Sequence, residues 1–129
     1  MKTLIKDILV RLYPIYYNFL VWRLRHKKTI NVVFFASSIS MWRYQHLYEL
    51  LSKNQRFNAN IIIHPAFAYS ADQQKADVDA LIEFFENKNT PYSLAVTSEG
   101  KFIDIRKEFS PDILFYPQPF NNFYSEDIS

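Results

Sequence analysis

Apolar residues recur over the first 26 positions at spacings of three and four: Ile5, Ile8, Leu9, Leu12, Ile15, Tyr16, Phe19 and Leu20. That period predicts an amphipathic helix, with Pro14 placed to kink it or to open its second half. The pattern then changes. Residues 29–36 read TINVVFFA, with Ile30, Val32, Val33, Phe34, Phe35 and Ala36 almost unbroken. A short β-branched and aromatic run of this kind predicts a strand buried on both faces. A polar turn, Ser37-Ser38-Ile39-Ser40, leads into a helix-period segment over about 41–53. Ser40 stands at its predicted cap, and Trp42, Leu47, Leu50 and Leu51 form its apolar stripe.

The alternation continues. Residues 54–60 read as a polar connection, interrupted by Phe57. Ile61-Ile62-Ile63 is a second strand, closed by His64-Pro65, and 72–87 is a second helix with Ala76, Val78, Leu81, Ile82 and Phe85 inward. Residues 92–96 form a weaker strand, 98–101 a turn and 102–109 a short helix. Residues 113–116 form a last strand that stops at Pro117-Gln118-Pro119. Strands alternating with helices specify an α/β domain with parallel pairing and right-handed crossovers. The predicted class is a three-layer, Rossmann-like fold with a mostly parallel sheet of about four strands, preceded by an amphipathic helix. Residues 1–28 make the helical leader and 29–129 the domain, with the linker near 26–29. Such sheets usually continue past four strands, so the chain is expected to be the first part of a longer protein.

Composition narrows the chemistry. The chain has no cysteine, which excludes disulfides, thiol nucleophiles and cysteine-bound zinc. Its one glycine, Gly100, excludes the glycine-rich phosphate loops. His26, His46 and His64 are not spaced as metal ligands on one element. No cofactor is indicated. The net charge of +2 hides an asymmetry. Residues 1–28 carry Lys2, Lys6, Arg11, Arg23, Arg25, Lys27 and Lys28 against Asp7, so 7 − 1 = +6, whereas 29–129 carry 8 basic and 12 acidic groups, −4. A nucleic-acid reader carries its positive charge on the folded domain, so nucleic acid is not the expected partner.

The leader's longest uncharged run, 12–22, has 11 residues, against about 20 for a membrane span. Its tyrosines, Trp22 and polybasic end instead suit the interface of an anionic membrane. The predicted membrane contacts are Lys2, Lys6, Arg11, Trp22, Arg23, Arg25, Lys27 and Lys28. Packing against a missing part of the protein or against a partner is the competing reading.

Ligands in parallel α/β sheets bind beyond the carboxyl ends of the strands. Ser37, Ser38 and Ser40 stand there, before a predicted helix N-terminus that favours an anion; a plain cap and turn is the alternative. His64 closes a strand at the same edge, placed either to contact a ligand or to bond to backbone. Trp42 is either core or a ligand platform, and His46 is read as surface. Tyr116, Gln118, Phe120 and Tyr124 are placed either to stack on a sugar or polyol or to form a turn.

Several stretches together resemble a known family. The helix after the first strand has the form W-x-Y-x-x-L-Y-x-L through Trp42, Tyr44, Leu47, Tyr48 and Leu50. It is followed by Arg56-Phe57, and later by Pro111-Asp112-Ile113 and the turn Phe115-Tyr116-x-Gln118-Pro119. With the basic leader, these residues are similar to the opening of the CDP-glycerol glycerophosphotransferase family, the teichoic acid primases and polymerases. The resemblance implies half of one lobe of a two-lobed B-type glycosyltransferase. Such enzymes move glycerol phosphate to a membrane-linked polymer at the cytoplasmic face. It implies a polyol-phosphate or glycan acceptor, and the residues expected to contact it are Ser37, Ser38, Ser40, Trp42, His64 and Gln118 at the strand ends. The nucleotide would bind in a C-terminal lobe that is absent from this sequence. The family's W-H-G motif is absent too, since Trp22 and Trp42 are each followed by arginine. The chain by itself is therefore expected to be inactive. The alternative is a non-catalytic, flavodoxin-like interaction module that docks a partner through its N-terminal helix.

Overall fold

The computed structural model describes residues 2–117. Helix α1 covers Lys2–His26 and strand β1 Ile30–Ala36. A 3-10 turn at Ile39–Met41 precedes α2, Gln45–Ser52, and β2, Phe57–Ile63. Helix α3 is Ala71–Asn87, β3 is Ser93–Leu94, α4 is Ile105–Phe109 and β4 is Ile113–Phe115. The strands form one sheet in the order β3-β2-β1-β4, every pair parallel. This is the three-layer, Rossmann-like α/β arrangement.

Alternation along β1 builds both layers. Val32, Phe34 and Ala36 face one side and join Ile61, Ile63, Tyr48, Leu81 and Phe85, so α2 and α3 cover that face. Val33 and Phe35 face the other side with Ile62, Ala95 and Ile105, beneath α4. Right-handed crossovers require this division, because β1→β2→β3 and β3→β4 move across the sheet in opposite directions. Phe34 centres the larger cluster. Its ring lies 4.9 Å from that of Phe115, 5.6 Å from Tyr44 and 6.2 Å from both Trp42 and Tyr48.

Several boundaries differ from the sequence expectation. The helix expected from residue 41 begins only at Gln45, and Ser40 does not cap it. Trp42 is the cause. It takes an extended conformation, buries its ring against Phe34 and Phe85, and donates its indole N–H to Gln45 Oε1 at 3.0 Å. Continuous helix is given up for that burial. Strand β2 starts at Phe57, well before the triple isoleucine, because Asn58 lies opposite Asn31 and donates to its side-chain oxygen at 3.2 Å. Strand β3 is shorter than expected. The next residue, Ala95, still donates to Ile63 O at 2.9 Å, and Val96 bridges to Phe102. Helix α4 starts at Ile105, where Asp104 caps it by accepting from the Lys107 amide. Helix α1 runs without interruption across Pro14. The carbonyl that proline leaves unpaired belongs to Val10, on an exposed stretch open to water.

The joint between α1 and the sheet is fastened, not loose. Lys27 Nζ lies 2.6 Å from both carboxylate oxygens of Asp112, and Asp112 Oδ2 also accepts from the Asn31 amide at 2.9 Å. Arg56 donates to the Leu24 and Arg25 carbonyls at 3.0 and 2.7 Å, satisfying the end of the helix.

Phe34→Ala should lower the unfolding free energy by about 3–5 kcal/mol, the usual cost of deleting a buried phenyl ring. Urea denaturation measures it; a loss well under 1 kcal/mol would remove Phe34 from the centre of the core.

Candidate functional site at the carboxyl edge of the sheet

Because β1→β2 and β3→β4 run to opposite sides, the strand order reverses between β1 and β4. The carboxyl ends of these neighbours form the topological switch point, where open α/β sheets hold ligands. The register places residues there directly. Ala36 pairs with Ile63, so Ser37 and His64 are next in line, and the His64 amide donates to Ala36 O at 2.9 Å. Phe34 pairs with Phe115, so Tyr116 follows beside Phe35, and their rings stack at 5.1 Å. The Tyr44 hydroxyl donates to Tyr116 O at 3.1 Å and ties the start of α2 to the end of β4.

Three of the predicted acceptor residues therefore meet at this edge: Ser37, Ser38 and His64, all buried. Ser38 and Ser40 share a hydroxyl hydrogen bond at 3.2 Å. Ser37 Oγ has no hydrogen-bond partner among the described residues, which leaves it a donor and acceptor for a ligand. Trp42 is committed to the core, in edge-to-face contact with Phe34 and Phe85, and does not stand at the edge as a platform. Gln118 lies outside the described residues, as do Phe120 and Tyr124. His46 is exposed on α2.

His64 has a defined tautomer. Nδ1 lies 2.7 Å from Pro65 O, and a carbonyl only accepts, so Nδ1 carries the proton and Nε2 the lone pair. The imidazole sits against the rings of Phe67 and Phe102, at 5.3 and 5.7 Å. Burial depresses its pKa, partly opposed by the Pro65 hydrogen bond. It is thus held neutral, as an acceptor beside buried hydroxyls. That combination offers hydrogen-bond donors and acceptors of the kind a hydroxyl group pairs with. Among the described residues, no group of three or more His, Asp or Glu side chains could hold a metal ion.

The residues predicted for membrane contact divide in two. Lys2, Lys6, Arg11, Trp22, Arg23, Arg25 and Lys28 are exposed. Lys27 is only half exposed, and its ammonium is spent on Asp112. Burial pushes the Asp112 carboxyl up, but Lys27, the Asn31 amide and Arg23 outweigh this and hold it below its ordinary value. Sequence reasoning missed Asp112 and Arg56 as the fasteners of α1. The available signal was an acid standing directly before an apolar strand, in a chain whose basic surplus lies before β1.

Both shifts act on stability with the same sign. A folded-state pKa below the unfolded value gives stability that is present above the unfolded value and lost as pH falls toward the folded one. The melting temperature should therefore fall as pH drops below 6.5, the ordinary value for histidine, and again below 3.8, that for aspartate. Thermal melts across pH measure this. His64→Gln should erase the upper step and Asp112→Asn the lower; an upper step unchanged in His64→Gln would assign it elsewhere. Compared with protein-family models, curated proteins and solved structures, the chain matches none.

Proposed function

We propose that this chain is the acceptor-side part of a membrane-associated glycerophosphotransferase acting on polyol-phosphate or related glycan polymers. The N-terminal helix rests on an anionic membrane surface, and the switch-point edge receives the acceptor. The observation that carries the reading is α1. Twelve of its large apolar side chains, from Leu4 to Trp22, are 48–67% exposed, on a helix whose last turn is clamped to the sheet by Asp112 and Arg56. No helix among the described residues is long and apolar enough to cross a membrane. An exposed aromatic and aliphatic surface with basic residues at both ends fits the interfacial mode. The sequence resemblance supplies the substrate class. The pair of buried serines beside a neutral histidine suits a hydroxyl-rich acceptor.

Two contributions hold the helix on the bilayer. Each basic group near an anionic surface adds roughly 1 kcal/mol at low salt, and apolar burial adds about 25 cal/mol per Å². Only the first is screened by salt.

The full chain should therefore co-sediment with phosphatidylcholine vesicles containing phosphatidylglycerol. The bound fraction should drop with salt without vanishing, and should fall sharply in a Phe19→Ser, Trp22→Ser double variant. Absence of binding by the unaltered chain, or equal binding by the double variant, would leave α1 as a surface for a protein partner. At the edge, a soluble glycerol phosphate oligomer should bind the unaltered chain and bind more weakly after Ser38→Ala. Indifference to that substitution would remove the serines from acceptor contact.

The 129-residue chain alone should release no nucleotide from CDP-glycerol above background, because it contains no W-H-G motif. Release that is abolished by His64→Ala would overturn this expectation.

A further inference from the structure

Between α1, α4 and the outer face of β4 lies an open cleft of about 680 Å³. It runs from Asp112, just before β4, to Tyr116, just after it. One wall is apolar, formed by Leu20 and Leu24 of α1 and by Phe35 and Leu114 of the sheet. Leu114 is 40% exposed, on the sheet face that α4 covers only over the other strands. The lining is also cationic: Arg23, Lys27 and Arg106 stand against the single carboxylate of Asp112, which gives 3 − 1 = +2. Lys27 is already paired with Asp112, whereas the guanidinium groups of Arg23 and Arg106 make no hydrogen bond or ion pair among the described residues. Two guanidinium groups without a hydrogen-bonded partner, of which Arg23 acts on Asp112 through its charge alone, match in a partly apolar cleft a ligand with an anionic head and a hydrocarbon tail. Arginine forks fit phosphate oxygens in pairs.

We propose that this cleft seats a single phosphate-bearing lipid. Its phosphate lies between Arg23 and Arg106, and its acyl chain lies along Leu20, Leu24, Phe35 and Leu114. Charge complementarity selects the head, and the apolar wall selects a lipid over free phosphate. Lys27 stays with Asp112 and keeps that carboxylate from repelling the head. The cleft borders the exposed surface of α1, so a lipid can enter it sideways from a bilayer on which the helix rests. The site is a property of the cleft and does not depend on the transferase reading. It differs from the diffuse attraction of the helix to anionic surface, because two of its determinants, Arg106 and Leu114, lie on α4 and β4.

The test is calorimetric titration of the full chain with dioctanoyl phosphatidic acid below its micelle concentration, so that no bilayer is needed. Saturable binding at one lipid per chain is expected, with inorganic phosphate at least about tenfold weaker. Arg106→Gln and Leu114→Glu should each weaken lipid binding by about tenfold or more. Lys53→Gln, which removes an equal charge at the end of α2, should not change it. Both test positions are exposed, and thermal melts of the variants verify that they fold. Unchanged affinity in Arg106→Gln and Leu114→Glu would overturn the proposal. So would inorganic phosphate binding as tightly as the lipid, or the absence of saturable binding.

Discussion

Everything in this domain depends on burying β1 on both faces. A central strand with water on neither side must present apolar groups at every position, and the run from Val32 to Ala36 does so. Its alternation then decides which helices go where. Phe34 requires the aromatic layer of Trp42, Tyr44, Tyr48 and Phe115, while Phe35 requires the smaller layer under α4. The same strand fixes the site, because its last register pair puts Ser37 beside His64 and its other neighbour is β4. Core and switch point are two consequences of one seven-residue element.

The leader is attached by a different kind of force. In a partly buried ion pair the desolvation of the charges offsets most of their attraction, so the Lys27–Asp112 pair is not a large source of stability. Its value is geometric. Asp112 accepts from Lys27 and from the Asn31 backbone amide, while its own amide donates to Asn31 O. The carboxylate therefore joins the end of α1, the start of β1 and the entry to β4. Arg56 adds donors to the carbonyls at the helix end. Such a joint sets the direction in which α1 leaves the domain, and so fixes which surface meets whatever α1 contacts.

Most of the fold was legible in the residues, and the reason is periodicity. The contrast between INVVFFA, ANIII and ILF on one side and the 3.6-period segments on the other is strong enough to order strands and helices. Three features were not legible. Trp42 sits in a helix-period segment, yet its ring is worth more in the core than as part of a turn of helix, so tertiary packing delayed α2 to Gln45. Asn58 and Asn60 read as loop residues, but parallel pairing with β1 satisfies their backbone and draws them into β2. The third is the α1 joint. Lys27 and Asp112 are 85 positions apart, and no local pattern marks a pair at that separation. The site was half legible. The hydroxyls and His64 follow from strand ends, whereas the switch point follows only from knowing that β4 lies beside β1.

Tyr116 relates the two halves of the molecule. Its ring stacks on Phe35, its carbonyl accepts from Tyr44 at the start of α2, and its side chain also lines the cleft behind α1. Burial raises its phenolic pKa, so the ring stays neutral. A neutral aromatic group held on one side by a stacked ring and on another by a backbone hydrogen bond has little freedom to move alone. Anything that shifts Phe35 from the cleft side must therefore shift Tyr116, and with it the end of β4 beside Ser37. The cleft behind α1 and the carboxyl edge of the sheet are thereby joined through one pair of packed rings, with no need for a long relay.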